Sequence, residues 1–382
     1  MPAMTGFSGN EIYCLRLKGM TPGELVVGNS VYSLGFVGSL GAALNNVMGG
    51  EVSQITDVIH EGREQALQRM VREAESHGGA GISGVTSELR HFHGNIEFLS
   101  VGSTVHIDDT SPSPMQGESG RKLVFSTAHD AQELYCIIDA GYSPRHFAFG
   151  NVAYSVGVGG GILGSLKSLG RGEVKEFSDV FNRTRHLALH RIAVNAKKYG
   201  ANAVIGITTH VLPFQGVHEM LMLGTACVHP QLPPATQDSL PVTSDMTAEE
   251  TWNLAAIGYA PLKLVMGTAV YSIGVVGGIT AALKSVTRGE MSDLTTLIYD
   301  AREHAIGLIR REAESLGADD VVGVRTHIQE MGNLVEFMAV GTAVRRAANM
   351  TPQSAALPPQ AIIRDKDTWI YGAGLNENLE GA

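Results

Sequence analysis

The sequence predicts an α+β protein of three tandem units, each with a small antiparallel sheet and one long helix. Two observations support this prediction. An apolar segment rich in glycine recurs three times, at 26–51, 148–173 and 265–290. Each copy precedes a long stretch whose apolar residues have helical spacing, and then two runs of strand character. Because repeats at a fixed register adopt one geometry, the three units should share a single fold.

The three copies align from the glycine-rich segment to the end of each unit without a gap. The residues that recur include a glycine, a tyrosine, an arginine and a glutamate. They are Gly28, Gly150 and Gly267; Tyr32, Tyr154 and Tyr271; Arg63, Arg185 and Arg302; and Glu97, Glu219 and Glu336. An unbroken register predicts that each set occupies the same place in its unit.

The unit boundaries follow from composition. We predict units at 1–106, 121–229 and 238–346, followed by a C-terminal tail at 347–382. The segments between the units, "DDTSPSPMQGESG" and "PQLPPATQ", are rich in Pro, Ser and Gln and are typical of linkers. The first half of the tail has the composition of a disordered segment.

The second copy shows the elements of one unit in order. "KLVFST" predicts a short strand, and Thr127 and Asp130 have the spacing of a capping box that opens a helical turn. "ELYCIIDAGYS" and "HFAFGNVAYSVG" both predict strands. Apolar residues from Val174 to Ala196 then recur at helical spacing, and Gly200 is placed to end that helix. "NAVIGITTHV" and "HEMLMLGTACV" predict an antiparallel pair of strands.

Composition narrows the class of protein. Of 382 residues, 44% are hydrophobic and 17% are charged, which is enough to fill a sizeable core. The net charge of −10 and the lack of a Lys/Arg-rich run argue against a nucleic-acid partner. Three isolated cysteines suit a reducing cytoplasm, and the N-terminal sequence does not resemble a signal peptide. We therefore expect a cytoplasmic protein.

Three segments of the last unit identify a family resemblance. They are "AREHAIGLIRREAESL", "GADDVVGVRTH" and "VEFMAVGTAV", and related segments recur in order in the other units. The chain resembles the YbjQ-like family, also labelled UPF0145 and described as a heavy-metal-binding domain. The resemblance implies a dodecin-like fold, with a helix on a small antiparallel sheet, and five-fold rings. Family members usually carry one unit, so a triplicated chain leaves the stoichiometry open.

The glycine-rich segments have three interpretations. Gly159, Gly161 and Gly164 match a nucleotide-binding pattern, but the other copies lack it. The most apolar part, "GFVGSLGAAL", is too short to span a membrane. We favour close packing, either inside each unit or at an interface, because small residues let backbones approach. The predicted interface positions are Gly35, Gly38, Ala42, Gly157, Gly160, Gly164, Gly274, Gly277 and Ala281.

The repeated charged residues predict ion pairs. Arg63, Arg185 and Arg302 lie beside the apolar stripe of the long helix, and Glu97, Glu219 and Glu336 lie in the last strand. A charge among apolar neighbours needs a partner, so we predict Arg–Glu pairs within a unit or between neighbouring units. A carboxylate or phosphate site that uses the arginines is the alternative. Tyr32, Tyr154 and Tyr271 could line such a site or simply pack.

Two histidine pairs are candidate metal ligands. His91 and His93 share one face of a strand, and His186 and His190 share one face of the long helix. Neither pair recurs in the other units, and zinc typically takes three or four protein ligands. We therefore expect no cofactor, with a metal ion as the weaker alternative.

These observations predict a protein that is not an enzyme, because the sequence carries no nucleophile elbow, P-loop or paired catalytic carboxylates. We expect an oligomeric scaffold of ring form that binds itself and could sequester a ligand. Five chains that stack three rings, or two chains that form a ring of six units, would satisfy the repeat. A metal- or small-anion-binding module is the alternative. Trp369, Ile370 and Tyr371 predict a partner-binding peptide or a segment that docks on the third unit.

Overall fold

A computed structural model describes residues 4–33, 50–92, 95–107, 125–155, 172–214, 217–272, 292–331 and 334–363. Within these residues each unit contains a short helix, a long first strand, a long helix and a β-hairpin. The helices are α1 (Gly9–Leu17), α2 (Ser53–Ser76), α3 (Ala131–Asp139), α4 (Lys175–Lys198), α5 (Ala248–Ala256), α6 (Ser292–Ser315) and α7 (Pro359–Ile362).

The strands form three separate sheets, one for each unit. They are β1 (Met20–Ser33), β2 (Gly50–Glu51), β3 (Gly81–Phe92), β4 (Asn95–Ile107), β5 (Phe125–Ser126), β6 (Ser143–Ser155), β7 (Gly172–Glu173), β8 (Ala203–Phe214), β9 (Val217–Val228), β10 (Val242–Thr243), β11 (Tyr259–Ser272), β12 (Asp320–Met331) and β13 (Leu334–Arg346). The orders are β1-β4-β3-β5, β10-β8-β9-β6-β2 and β12-β13-β11-β7. The long strands of each sheet are antiparallel, as predicted.

Each long helix lies against the first strand of its own unit. The contact is close because a glycine stands at the crossing point: a Cβ on Gly150 would overlap the carbonyl oxygen of Ala188 and the backbone nitrogen of Ile192. Gly28 and Gly267 hold the same position against α2 and α6. The predicted helix ends as expected, because Gly200 follows its C-cap with a φ of +71°.

The prediction of a strand for "ELYCIIDAGYS" was wrong. Its first seven residues belong to the helix α3, which Asp130 caps by accepting from the N–H of Glu133, and only its last residue, Ser143, begins β6. The helix is buried along most of its length, and its Tyr135, Ile137 and Ile138 favour strands, so packing against its neighbours outweighs their local preference. The predicted capping box was three residues too early, since the structure forms it with Asp130 and Glu133 and not with Thr127 and Asp130.

The three short helices come together, and the tail lies across them. Asp139, in the second unit, is fully buried and accepts hydrogen bonds from groups of the first unit, the third unit and the tail. Lys18 Nζ lies 2.6 Å from its Oδ1, Trp252 Nε1 lies 2.8 Å from its Oδ2, and Ser354 Oγ lies 2.8 Å from its Oδ1. These hydrogen bonds, and the Lys18 charge, outweigh desolvation by burial and lower the pKa of Asp139. The prediction that the first half of the tail is disordered was wrong, since Met350 is buried and residues as far as Ile363 contact α1 and α3.

Candidate functional site: the joints between units

The first joint lies between the first two units and centres on a buried ion pair. Arg63, on α2 of the first unit, pairs with Glu219, on β9 of the second unit. Its Nε lies 3.0 Å from Oε1, and its Nη2 lies 2.7 Å from Oε2. Both side chains are fully buried. The Nη1 of Arg63 donates to the carbonyl and hydroxyl oxygens of Ser87, so this guanidinium has partners on every nitrogen.

The second joint repeats the pair with a difference. Arg185 on α4 donates from Nη2 to Oε1 of Glu336 on β13, and its Nε contacts the sulfur of Met338. Within the described chain, Nη1 of Arg185 and Oε2 of Glu336 have no hydrogen-bond partner although both atoms are buried. Burial raises the pKa of Glu336, against the lowering effect of the charge and hydrogen bond of Arg185.

Short strands bind the units at the same joints. The strand β2 of the first unit pairs with β6 at Tyr154 and Ser155, and β7 of the second unit pairs with β11 at Tyr271 and Ser272. In the opposite direction, β5 adds in parallel to β3, and β10 adds in parallel to β8. Each unit therefore gives a strand to its neighbour and receives one from it. Of these four strands the sequence indicated only β5, within "KLVFST", because two residues carry too little periodicity to predict the others.

Apolar side chains fill each joint. Phe147 and Phe149 on β6 point away from their own helix and pack with Leu67, Met70 and Val85 of the preceding unit. In the second joint, Leu264 and Met266 on β11 pack in one cluster with Ile192 of the second unit. The second and third sheets are thus covered on one face by their own helix and on the other by the preceding unit.

The third arginine and the first glutamate do not meet. Arg302 on α6 is exposed, and Glu97 on β4 is half-buried and accepts a hydrogen bond from Asn29 Nδ2 at 3.0 Å. Both residues stand at the outer faces of the chain, where the described residues supply no further unit. The repeated arginines and glutamates therefore form two joints inside the chain and leave one half-joint at each end.

The repeated tyrosines lie on the first strands beside a phenylalanine of their own unit. The ring pairs are edge-to-face, with centroids 5.7 Å apart for Tyr32–Phe98, 5.6 Å for Tyr154–Phe181 and 6.3 Å for Tyr271–Phe337. Burial, the largest cause, raises the pKa of Tyr154 to about 12. Packing accounts for these positions, and none of the described contacts marks them as ligand groups.

Equivalent strands of all three units line one cavity of about 1000 Å³. Glu88, His210 and His327 occupy the same place in β3, β8 and β12, and each lines this cavity. Arg185 and Glu336 also reach it. Since equivalent residues converge on a common space, successive units are related by a turn about that space.

All three units of the chain match a known protein family. The profile of a family described as "Putative heavy-metal-binding" (YbjQ) matches residues 19–108, 143–229 and 254–347, which is most of the chain. The chain belongs to the YbjQ family. Its family match covers the sheet and long helix of each unit, in agreement with the resemblance found in the sequence.

Relatives of this YbjQ chain include proteins of one unit and a longer one. The UPF0145 protein of Archaeoglobus fulgidus is 42% identical over 85 residues, 22% of this chain and 79% of that protein. The UPF0145 protein of Methanoculleus marisnigri is 41% identical over 92 residues, 23% of this chain and 86% of that protein. Encapsulin nanocompartment protein Rv1762c of Mycobacterium tuberculosis is 31% identical over 225 residues, 57% of this chain and 82% of that protein.

The histidines predicted as metal ligands bear on the metal-binding description of the YbjQ family. His91 and His190 are exposed, His186 is half-buried, and His93 lies outside the described residues. Burial lowers the pKa of His186. In the part of the chain that the structure describes, no three His, Cys, Asp or Glu side chains are grouped so that they could hold a metal ion. Cys136 and Cys227 are buried free thiols, and Cys14 is buried as well.

Several predicted positions of this YbjQ chain lie outside the residues that the structure describes. They are Gly35, Gly38, Ala42, Gly157, Gly160, Gly164, Gly274, Gly277, Ala281, Trp369, Ile370 and Tyr371. Among the described helices, none is long and apolar enough to cross a membrane.

Proposed function

We propose that this YbjQ-family chain is a non-enzymatic structural protein whose copies assemble into a ring-shaped scaffold. The observation that carries the proposal is the joint, which occurs twice in one chain with the same parts. A buried arginine, a buried glutamate and reciprocal short strands recur at both joints. Each joint brings the arginine-bearing face of one unit against the glutamate-bearing face of the next, so the contact is heterologous. Heterologous contacts generate rings when they close.

The relatives support an assembly role. One of them is described as an encapsulin nanocompartment protein, and its similarity extends over 225 residues, more than the length of one unit. The buried free thiols of this chain also suit a reducing cytoplasm, where we propose that it works.

The cavity favours one arrangement of units over another. Equivalent residues of the three units line the same space, as neighbouring positions of one ring would do. Three units of one chain that belonged to three stacked rings would not converge in this way. We therefore favour consecutive units in a single ring, with two chains in a ring of six units as the simplest closed form.

Native mass spectrometry of untagged protein, purified without chelators, tests this proposal. We expect a single assembly whose mass is a small whole-number multiple of the chain mass. A protein that stays a single chain at micromolar concentration would contradict the scaffold role. Metal content measured on the same sample identifies any bound ion.

Ligand binding in the cavity is the alternative function. The observation in its favour is Arg185, a residue that lines the cavity and whose buried Nη1 has no hydrogen-bond partner in the described chain. A small anion that reached this donor would satisfy it, and Arg325, which also lines the cavity, could turn to the anion if it left its ion pair with Asp245. Calorimetric titration with inorganic phosphate, on wild type and on Arg325→Ala, tests it. Saturable binding that Arg325→Ala weakens would support the alternative, and no binding of phosphate or metal would reject it.

A further inference from the structure

We infer that the two ends of the chain form a third joint with a second copy, in which Arg302 of one chain pairs with Glu97 of the next. The inference rests on the proposed assembly role and specifies its contact surface. It follows from residues that are buried at both internal joints and exposed at the ends, and from the match between the two exposed faces.

The first half of this surface, the N-terminal face, consists of Met4, Leu25, Val27, Val31 and Glu97. Val31 is 57% exposed, whereas the equivalent residues of the second and third units are fully buried. Leu25 and Val27 are 46% and 44% exposed. At the internal joints the preceding unit covers these positions, which are Phe147, Phe149 and Ala153 in the second unit and Leu264, Met266 and Val270 in the third.

The second half, the C-terminal face, consists of Thr295, Arg302 and Val324 with the outer edge of β12. Val324 is 45% exposed, whereas Val85 and Ile207 at the same position are buried. Thr295 and Arg302 are exposed, whereas their equivalents in the first two units are buried. The described residues of this face are therefore those that form a joint in the first two units, but in the third unit no neighbouring unit covers them.

The two faces offer complementary groups. At the first joint, the hydroxyl of Thr56 accepts a hydrogen bond from the N–H of Ala153 at 2.9 Å. At the second joint, the hydroxyl of Ser178 accepts one from the N–H of Val270. Thr295 and Val31 are the corresponding pair at the chain ends. Arg302 and Glu97 have opposite charges, and apolar Val324 matches apolar Val27. Charge and shape complementarity of this kind determines register and partner choice.

The backbone edges are complementary as well. The strands β5 and β10 add to β3 and β8 at Gly81–Ile82 and Ala203–Val204. The equivalent edge on β12 is at Asp320 and Val321. Met4 stands where Ser126 and Thr243 stand in those added strands, and it is 80% exposed while they are buried. Strand addition to an open sheet edge would bring Met4 of the second copy onto β12.

A second copy is the partner that these faces fit, because each internal joint already joins one unit of this chain to another. The same chain cannot supply both halves, since Arg302 and Glu97 stay accessible within it. This joint is heterologous because it connects two different faces. Copies would therefore add head to tail until a ring closes.

Charge reversal on both faces tests the inference. We expect Arg302→Glu and Glu97→Arg to weaken chain association at least about 100-fold each, because like charges would then meet at the joint. Mixing the two variants in equal amounts should restore association through two kinds of joint. In one, the two substituted residues meet and form an ion pair of reversed polarity; in the other, the native Arg302 and Glu97 meet. Arg311→Glu is the control: Arg311 is exposed on α6, and its equivalent Arg72 remains exposed next to the first joint.

Analytical ultracentrifugation and native mass spectrometry separate the outcomes. If wild type assembles and both single variants stay assembled, the Arg302–Glu97 joint is wrong while the scaffold role survives. If both variants dissociate but their mixture does not reassemble, the pairing is also wrong. If wild type is a single chain at all concentrations, both the joint and the scaffold role fail. Loss in each variant, recovery in the mixture and no effect of Arg311→Glu would establish the joint.

Discussion

Arg63 donates two hydrogen bonds to Glu219, which belongs to the next unit 156 residues later in the chain. The repeat also places a glutamate, Glu97, in the same unit as Arg63, but that carboxylate lies at the outer face of the chain. The ion pair therefore connects units and does not stabilise a unit by itself. Its complete burial makes it a determinant of how units fit together, because any other register would leave one charge unpaired.

Glu219→Gln should strongly destabilise the folded chain. The substitution leaves the charge of Arg63 buried without a counter-charge, which costs about 3–5 kcal/mol. Urea unfolding followed by circular dichroism measures the change. Glu97→Gln is the matched control, since Glu97 is half-buried, and in dilute protein it should shift the free energy of unfolding by less than about 1 kcal/mol. Equal effects of the two variants would contradict the assignment of the joint.

Gly150→Ala should destabilise the second unit. A Cβ at this position overlaps backbone atoms of α4, which cannot move aside as a flexible side chain could, so the helix must shift from its sheet. Such overpacking typically costs about 1–3 kcal/mol. Gly9→Ala is the control, because nothing lies within 4 Å of a Cβ there. Thermal unfolding of both variants measures the difference, and an unchanged midpoint for Gly150→Ala would disprove the close contact.

Asp139→Asn should loosen the cluster of short helices and the tail. The amide cannot balance the charge of Lys18, and it turns one of the two acceptor oxygens into a donor, so we expect a loss of about 3 kcal/mol in stability. The exposed loop residue Asp238 provides the control substitution, Asp238→Asn. Limited proteolysis near Ser354 should become faster in Asp139→Asn alone. If the tail stays protected, Asp139 does not hold it.

Acid should destabilise the protein through His146. This buried ring stacks on Tyr199 with centroids 3.5 Å apart, and burial lowers its pKa from 6.5 to about 3. Below pH 6.5 the unfolded chain binds a proton there that the folded chain does not. The free energy of unfolding should therefore fall as the pH falls from 6.5 towards 3, by about 1.4 kcal/mol per pH unit from this residue.

His146→Phe should remove that contribution while it keeps an aromatic ring against Tyr199. Urea unfolding between about pH 5 and 7 should show a shallower dependence on pH in this variant than in wild type. His91→Gln serves as the control, because His91 is exposed. If His146→Phe has the same dependence as wild type, folding does not lower the pKa of His146.

Hydrophobic periodicity and the register of the repeats determined much of the fold. The sequence predicted the long helices, the hairpins and the first strands, because each has one apolar face that recurs at a period of 3.6 or 2. It predicted a strand where α3 lies, because Tyr135, Ile137 and Ile138 favour strands, and of the short strands at the joints it indicated only β5. The family and the need of each arginine for a partner were also legible in the sequence.

What the sequence could not decide was the partner of each arginine. A perfect repeat makes the pair Arg63–Glu97 within a unit and the pair Arg63–Glu219 between units equivalent, because both place the same residues at the same repeat positions. Only the tertiary structure separates them, by bringing α2 of one unit onto the sheet of the next and leaving Glu97 at the outer face. Burial against a neighbour is a property of the assembled units, so it distinguishes the internal joints from the ends of the chain.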